Sequence, residues 1–475
     1  MIYIYGKIFI NVFVEIKRKK ELGVDYFNLK FHNTSIKNEI FAGIAMFMAM
    51  SYILVVNPTI LSTTGMDYKG VFLATVCVSG FTTIVSAFYT KLPIALAPGL
   101  GMASIFASLA TGENPTQWQV LLLATYVAGI VICAFVRFSV YDKIMQIVDD
   151  DFRGMTMSGI GCALLLYGIS TLGILEKKDG IYVFGKLEWI PIGITVLSLL
   201  VIYIMKRCGK KGFVLAGLVL AYVLSAFANY MIEYSATGVG LAEYFSKMFS
   251  FYYEASDITN VMFAFPNISE IIYDNNVLIQ FINAVFIFTM GHFFDAIGTN
   301  MSAFDAINSG IDHRMKETVS LKRVITVDGV GNVVSGLFGT STVTSYGESL
   351  VGIDSGGKTG ITALTTGCLF LLCFFFSPLF MLMTTYVAAP ALIYVGLELV
   401  LRYRSFDRSN RKIIFIFGLL MIGYIGITFN IGNAVLFGLV IYTILKWTIE
   451  KKKPVSFWWI MCVFVAIKIV LGIIA

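Results

Sequence analysis

Charged side chains are scarce in this sequence. Asp, Glu, Lys and Arg make up 13% of its 475 residues, about half of what a water-soluble domain carries, so a soluble globular fold is excluded. Cysteine is sparse and unpaired in pattern. Cys77, Cys133, Cys162, Cys208, Cys368, Cys373 and Cys462 form no CxxC, which excludes a zinc ribbon or a disulfide framework. Most lie in apolar runs, where a free thiol packs as a small hydrophobe. No metal and no cofactor are implied. A secretory leader is not expected either, because the apolar stretch Met1 to Val14 precedes the basic run Lys17-Arg18-Lys19-Lys20 instead of following it. The stretch reads as an interfacial lead-in.

What the chain has is apolar surface. Hydrophobic residues reach 57% and the mean hydropathy is +0.81. A membrane span needs about 20 mostly apolar residues, and such stretches recur at 39–62, 70–89, 92–109, 118–136, 155–174, 188–205 and 212–231. After a long loop come 277–298, 321–339, 341–355, 359–380, 384–401, 412–429 and 432–448. The expected fold is therefore an all-α polytopic membrane protein of fourteen segments in two groups of seven. Its parts would be a lead-in (1–38), a first repeat (39–231), an extracellular loop (232–276), a second repeat (277–448) and a C-terminal stretch (449–475) that is an interfacial helix or an extra span.

The net charge of +6 does not indicate nucleic acid, since the basic residues form short clusters between apolar segments. Clusters such as Lys206/Arg207/Lys210/Lys211 and Arg402/Arg404/Arg408/Arg411 fall on one side of the membrane, which the positive-inside rule makes the cytoplasm. The N-terminus is then cytoplasmic. A unit of seven spans repeated once inserts its second copy inverted, the plan of many secondary transporters, whose sites lie where broken segments of the two halves meet. Both third segments look broken. Segment 3 carries Ala97-Pro98-Gly99-Leu100-Gly101, and segment 10 opens with the β-branched, hydroxyl-rich run Gly339 to Glu348, so a short strand is expected in each.

A carboxylate at the centre of a span costs roughly 2.5 to 3.5 kcal/mol on insertion scales, which makes each one a functional candidate. Asp295 on segment 8 and Glu348 on segment 10 stand beside the predicted breaks. Asp328, in Val327-Asp328-Gly329-Val330-Gly331-Asn332, reads instead as a packing residue satisfied by a neighbour. His292 precedes Asp295 by three residues; it is either a buried packing residue or a titratable group lining the site. The run Gly352 to Thr359 matches the GxxxxGK[ST] phosphate-loop pattern, but it joins two membrane segments and lacks the strand and soluble domain that motif requires. It reads as a cytoplasmic turn.

Glu39-Ile40-Phe41-Ala42-Gly43, Ser51-Tyr52-Ile53-Leu54-Val55-Val56-Asn57-Pro58, Ala97-Pro98-Gly99, Phe294-Asp295-Ala296-Ile297-Gly298-Thr299 and Gly339-Thr340-Ser341-Thr342 through Glu348-Ser349 occur in this order. Together they resemble the AzgA-like purine permease branch of the nucleobase:cation symporter-2 (xanthine/uracil permease) family. The resemblance implies a uracil-permease-type fold, with segments 1–4 and 8–11 as core domain and 5–7 and 12–14 as gate domain. It implies that Glu348 and Asp295 hold the base, with Tyr346 and Gly347 flanking it, and that Thr299 stands where relatives place a polar or titratable group. Two positions depart from the branch: Ala103 replaces a common asparagine, and His292 replaces a frequent aspartate.

The expected function is proton-coupled uptake of a purine nucleobase (hypoxanthine, guanine or adenine) by alternating access, not enzymatic catalysis. Asp295, Thr299 and His292 are the proton-coupling candidates, and sodium stays open as the coupling ion. Glu348, Asp295, Tyr346, Gly347 and Ala103 are the substrate-binding candidates. The alternatives are a xanthine, uracil or other nucleobase permease, or an anion transporter of the same architecture. The expected surroundings are the bilayer of the cell membrane, and a homodimer is compatible with them.

Overall fold

The computed structural model describes residues 26–111, 116–139, 161–178 apart from 163, 164 and 167, 181–210, 213–237, 260–309, 321–376 and 385–402, with 440–441, 443–444 and 447–448. Segment 13, most of segment 14 and the C-terminal stretch therefore lie outside the described residues. So do residues 155–160, 163, 164 and 167 of segment 5 and most of the lead-in.

The first apolar run folds as two helices, α1 (Ile36–Met50) and α2 (Ile53–Ser62). Ser35 caps α1 by accepting the Asn38 N–H. Between the helices, Ser51 and Tyr52 form a tight turn in which the Leu54 and Val55 N–H groups reach back three residues to the Ser51 and Tyr52 carbonyls. No proline or glycine marks this break. Helix α3 (Tyr68–Thr90) starts at Asp67, whose carboxylate accepts the Gly70 N–H at 2.7 Å, and stops at Lys91 in the left-handed conformation.

Strand β1 (Leu96–Pro98) leads directly into α4 (Leu100–Thr111), and α5 (Trp118–Arg137) follows. A hairpin of β2 (Leu175–Lys178) and β3 (Ile181–Phe184), which periodicity did not foretell, precedes α6 (Trp189–Arg207) and α7 (Phe213–Thr237). The short α8 (Ile268–Tyr273) lies within the expected loop, and α9 (Asn275–Ser309) runs well past the expected end of segment 8. Next come α10 (Leu321–Phe338), β4 (Val343–Ser345), α11 (Ser349–Asp354), α12 (Gly360–Leu372) and, after one 3-10 turn (Thr385–Ala388), α13 (Ala389–Arg402).

Six stretches among the described residues are long and apolar enough to cross a membrane: Ile36–Ser62, Tyr68–Thr90, Trp118–Arg137, Trp189–Arg207, Phe213–Ser235 and Asn275–Phe293. Packing sorts the helices into two groups. In one, α10 lies along α5 and α3, and α12 lies along α3 and α1. The α5–α10 approach depends on glycine: a Cβ on Gly129 would stand 2.6 Å from the Val333 nitrogen, and one on Gly336 would stand 2.7 Å from the Leu122 oxygen. In the other group α6, α7 and α13 pack together. Lys206 pairs with Glu398 there, and the Ser225 hydroxyl donates to the Tyr386 oxygen at 2.9 Å. Trp189, Val196, Leu200, Val223 and Phe227 on α6 and α7 are exposed, as lipid-facing side chains are.

Candidate functional site: the paired breaks of segments 3 and 10

The two broken segments meet. Strands β1 and β4 pair antiparallel, with Leu96 opposite Ser345, Ala97 opposite Thr344 and Pro98 opposite Val343. Pro98 stands at the end of its strand, where its missing N–H costs the ladder least. The pairing extends at both ends, since the Gly99 N–H donates to the Thr342 carbonyl at 2.9 Å and the Tyr346 N–H to the Ala95 carbonyl at 3.0 Å. Irregular backbone is tolerated at membrane depth only when protein satisfies it. Thr83 does so here, donating to the Leu96 carbonyl and accepting the Leu96 N–H, each at 2.9 Å.

Each strand opens into a helix. Ala103 lies buried on α4, one turn past Gly99, whose carbonyl accepts its N–H at 2.8 Å. On the other side, Tyr346, Gly347 and Glu348 form the turn from β4 into α11. Tyr346 is buried and its hydroxyl donates to the Pro98 carbonyl at 2.9 Å; Gly347 and Glu348 are half-buried. The Glu348 carboxylate accepts the Tyr52 hydroxyl at 2.7 Å, Oη to Oε1. The break in segment 1 thus reaches the acid of segment 10.

Described side chains of α9 end at Phe293. The expectations for Asp295 and Thr299 therefore lie outside the described side chains; the backbone carries both on α9 beyond His292. His292 itself is buried, with Nε2 3.8 Å from Asp328 Oδ2 and Nδ1 3.4 Å from the Asn332 side-chain nitrogen. Asp328 Oδ1 accepts the Ser345 hydroxyl at 2.8 Å, and Asn332 Oδ1 accepts the Val343 N–H at 2.6 Å. Asp328 thus has a neighbour that satisfies it, and His292, Asp328 and Asn332 form a buried polar patch linking α9 and α10 to β4.

Four residues to which the sequence reading gave no role are placed at or near the breaks or the Gly352–Thr359 turn. Tyr52 and Asn332 are two of them. Asn57 is the third: its amide donates to Thr75 (2.8 Å) and Thr340 (2.9 Å) and its oxygen accepts from Ser341 (3.2 Å), tying α2 to the approach to β4. A buried amide in an apolar run is costly unless bonded, and that was the signal available at Asn57.

Glu39 is the fourth. Its buried carboxylate accepts the N–H groups of Lys358 and Thr359, each at 3.1 Å, and the Thr362 hydroxyl at 2.6 Å, while Lys358 Nζ donates to the His32 carbonyl at 3.2 Å. An internal carboxylate occupies the helix N-terminus that a phosphate would need. Glu39→Ala is expected to lower stability by about 3 kcal/mol, since buried donors lose a charged acceptor; thermal unfolding of the purified protein measures it. Lys358→Ala should leave transport energetics unchanged, and ATPase activity abolished by that change would contradict the assignment of this turn.

Among the described residues no group of three or more His, Cys, Asp or Glu is placed to hold a metal ion, and six cysteines are free thiols. Residues 37–451 match the model of the permease family, that of the xanthine/uracil permeases. The chain belongs to this family. The permease is 30% identical over 385 residues to the adenine permease AdeQ of Escherichia coli K12, covering 81% of each chain. It is 27% identical over 444 residues to the guanine/hypoxanthine permease PbuG of Bacillus subtilis 168, covering 90% of this chain and 95% of that one. Among solved structures it is similar to the transmembrane domain of the cyanobacterial bicarbonate transporter BicA, with a TM-score of 0.58 at 17% identity over 86% of this chain and 97% of that one. That likeness concerns fold alone. The permease is a multi-pass membrane transport protein.

Proposed function

We propose that this permease takes purine nucleobases into the cell with a proton, by alternating access of a site at the β1–β4 junction. The observation that carries the reading is the meeting of two broken segments with a half-buried Glu348 at the turn that leaves them, in a chain whose relatives are named as adenine and guanine/hypoxanthine permeases. The full reading comprises fourteen segments as two inverted repeats, a cytoplasmic N-terminus, and a core domain moving against a gate domain. The packing of α1–α5 with α9, α10 and α12, apart from α6, α7 and α13, supports that division.

A purine base is flat, uncharged and edged with N–H donors and ring-nitrogen acceptors. Ionised Glu348 accepts N–H bonds from it, charge-assisted and so stronger than neutral ones, while the backbone at Gly347 meets its acceptors. Asp295 takes a proton outside and releases it inside; one charge moving through 100 mV is worth about 2.3 kcal/mol. An anion carrier of this fold needs the positive ends of its half-helices unopposed, and the Glu348 carboxylate at the head of α11 disfavours that alternative.

Ala103 tests the purine assignment. It cannot supply the amide common at this position in the branch, and a lost neutral hydrogen bond costs about 1 kcal/mol, or about 1 to 3 where a buried partner is left unsatisfied. Ala103→Asn is therefore expected to shift the ranking of competing purines by several-fold to about a hundredfold in affinity, with little change in abundance. Competition among hypoxanthine, guanine, adenine, xanthine and uracil measures the ranking. An unchanged ranking puts residue 103 outside recognition, and competition by uracil alone overturns the purine assignment.

A further inference from the structure

Glu348 has three rotatable bonds and is half-buried, so its carboxylate needs a restraint if it is to present one oxygen to a ligand in a fixed direction. Its backbone neighbours are already held by the first half of the chain. Tyr346 donates to the Pro98 carbonyl at 2.9 Å, and Ser349 Oγ accepts the Ala95 N–H at 3.1 Å. The side chain of Glu348 is held from a third place, the tight turn of right-handed backbone between α1 and α2, by the Tyr52 hydroxyl at 2.7 Å. That length is a well-formed O–H···O hydrogen bond. Tyr52 is 2% exposed and sits in the main hydrophobic core. A phenylalanine would fill the same space, so the packing does not require the hydroxyl.

We infer that Tyr52 is a positioning residue for substrate binding: its hydroxyl occupies Glu348 Oε1 and fixes the carboxylate so that Oε2 is the oxygen offered to the nucleobase N–H. A carboxylate has two oxygens and about four acceptor sites, so one donor leaves room for another. The bond also ties the break in segment 1 to the turn in segment 10 across 296 residues of sequence. This inference rests on the purine-permease reading above.

The test compares wild type, Tyr52→Phe, Glu348→Asp and the double variant, each purified. Hypoxanthine binding is measured by calorimetry, KM and Vmax in proteoliposomes, and ligand-free unfolding temperature by thermal melt. Tyr52→Phe is expected to weaken binding and raise KM about tenfold, with Vmax within about twofold, as for loss of a hydrogen bond to a charged group acting at one remove. Its ligand-free unfolding temperature should fall by no more than a few degrees, since the half-buried carboxylate is resolvated. The shorter aspartate cannot reach Tyr52, so adding Tyr52→Phe to Glu348→Asp should change binding no further, a coupling that packing alone would not produce. Unchanged hypoxanthine affinity in Tyr52→Phe overturns the inference, as do additive losses in the double variant, or a lower unfolding temperature and Vmax with KM unchanged. Wild-type protein that binds no purine in the same assay overturns the underlying functional reading instead.

Discussion

Glu348→Gln abolishes purine uptake while the protein still reaches the membrane at normal abundance. The substitution keeps the size of the side chain and removes its charge, so packing around the β4–α11 turn survives and the charge-assisted acceptor does not. Two bonds change at once, because the Tyr52 hydroxyl now meets a neutral amide and the base loses its strongest partner. Each is worth about 1.5 to 3 kcal/mol when the acceptor is ionised, so affinity falls at least about a hundredfold. Radiolabelled uptake, normalised to the amount of protein in the membrane, reads the effect. Wild-type uptake by the variant would remove Glu348 from the binding site.

Asp295→Asn has a different signature. An amide carries no proton through the cycle, so accumulation against a gradient is lost even where binding persists. Exchange of internal for external substrate needs no net proton movement and should outlast accumulation. The expected result is residual exchange with no concentrative uptake. A variant that still concentrates substrate with unchanged dependence on the proton gradient contradicts the role given to Asp295.

Much of the architecture was legible because bilayer physics writes it into composition. Long apolar runs gave the six spans seen among the described residues, and the Pro98–Gly99 pair and the β-branched run before Glu348 gave the two breaks, where β1 and β4 are found. The break at Ser51–Tyr52 was not legible, since it uses neither proline nor glycine and is held by backbone bonds and by its surroundings. The β2–β3 hairpin was missed because its pairing is local and lies between two apolar segments that dominate the pattern.

Residue type picks out candidates for the site, and it does not give their partners. The cost of burying charge singled out Asp295, Asp328 and Glu348. Nothing in the order of residues says that Tyr52 meets Glu348, that Glu39 fills the N-terminus of α12, or that His292 lies beside Asp328 and Asn332. Those pairings join residues tens to hundreds of positions apart and exist only once the helices have packed.

The most direct test of the central claim is uptake of radiolabelled hypoxanthine, guanine and adenine into proteoliposomes holding only this permease, with an inward proton gradient imposed. At least one purine should accumulate above its external concentration, and a protonophore should collapse that accumulation. Accumulation indifferent to the proton gradient, or uptake confined to uracil, would contradict the account.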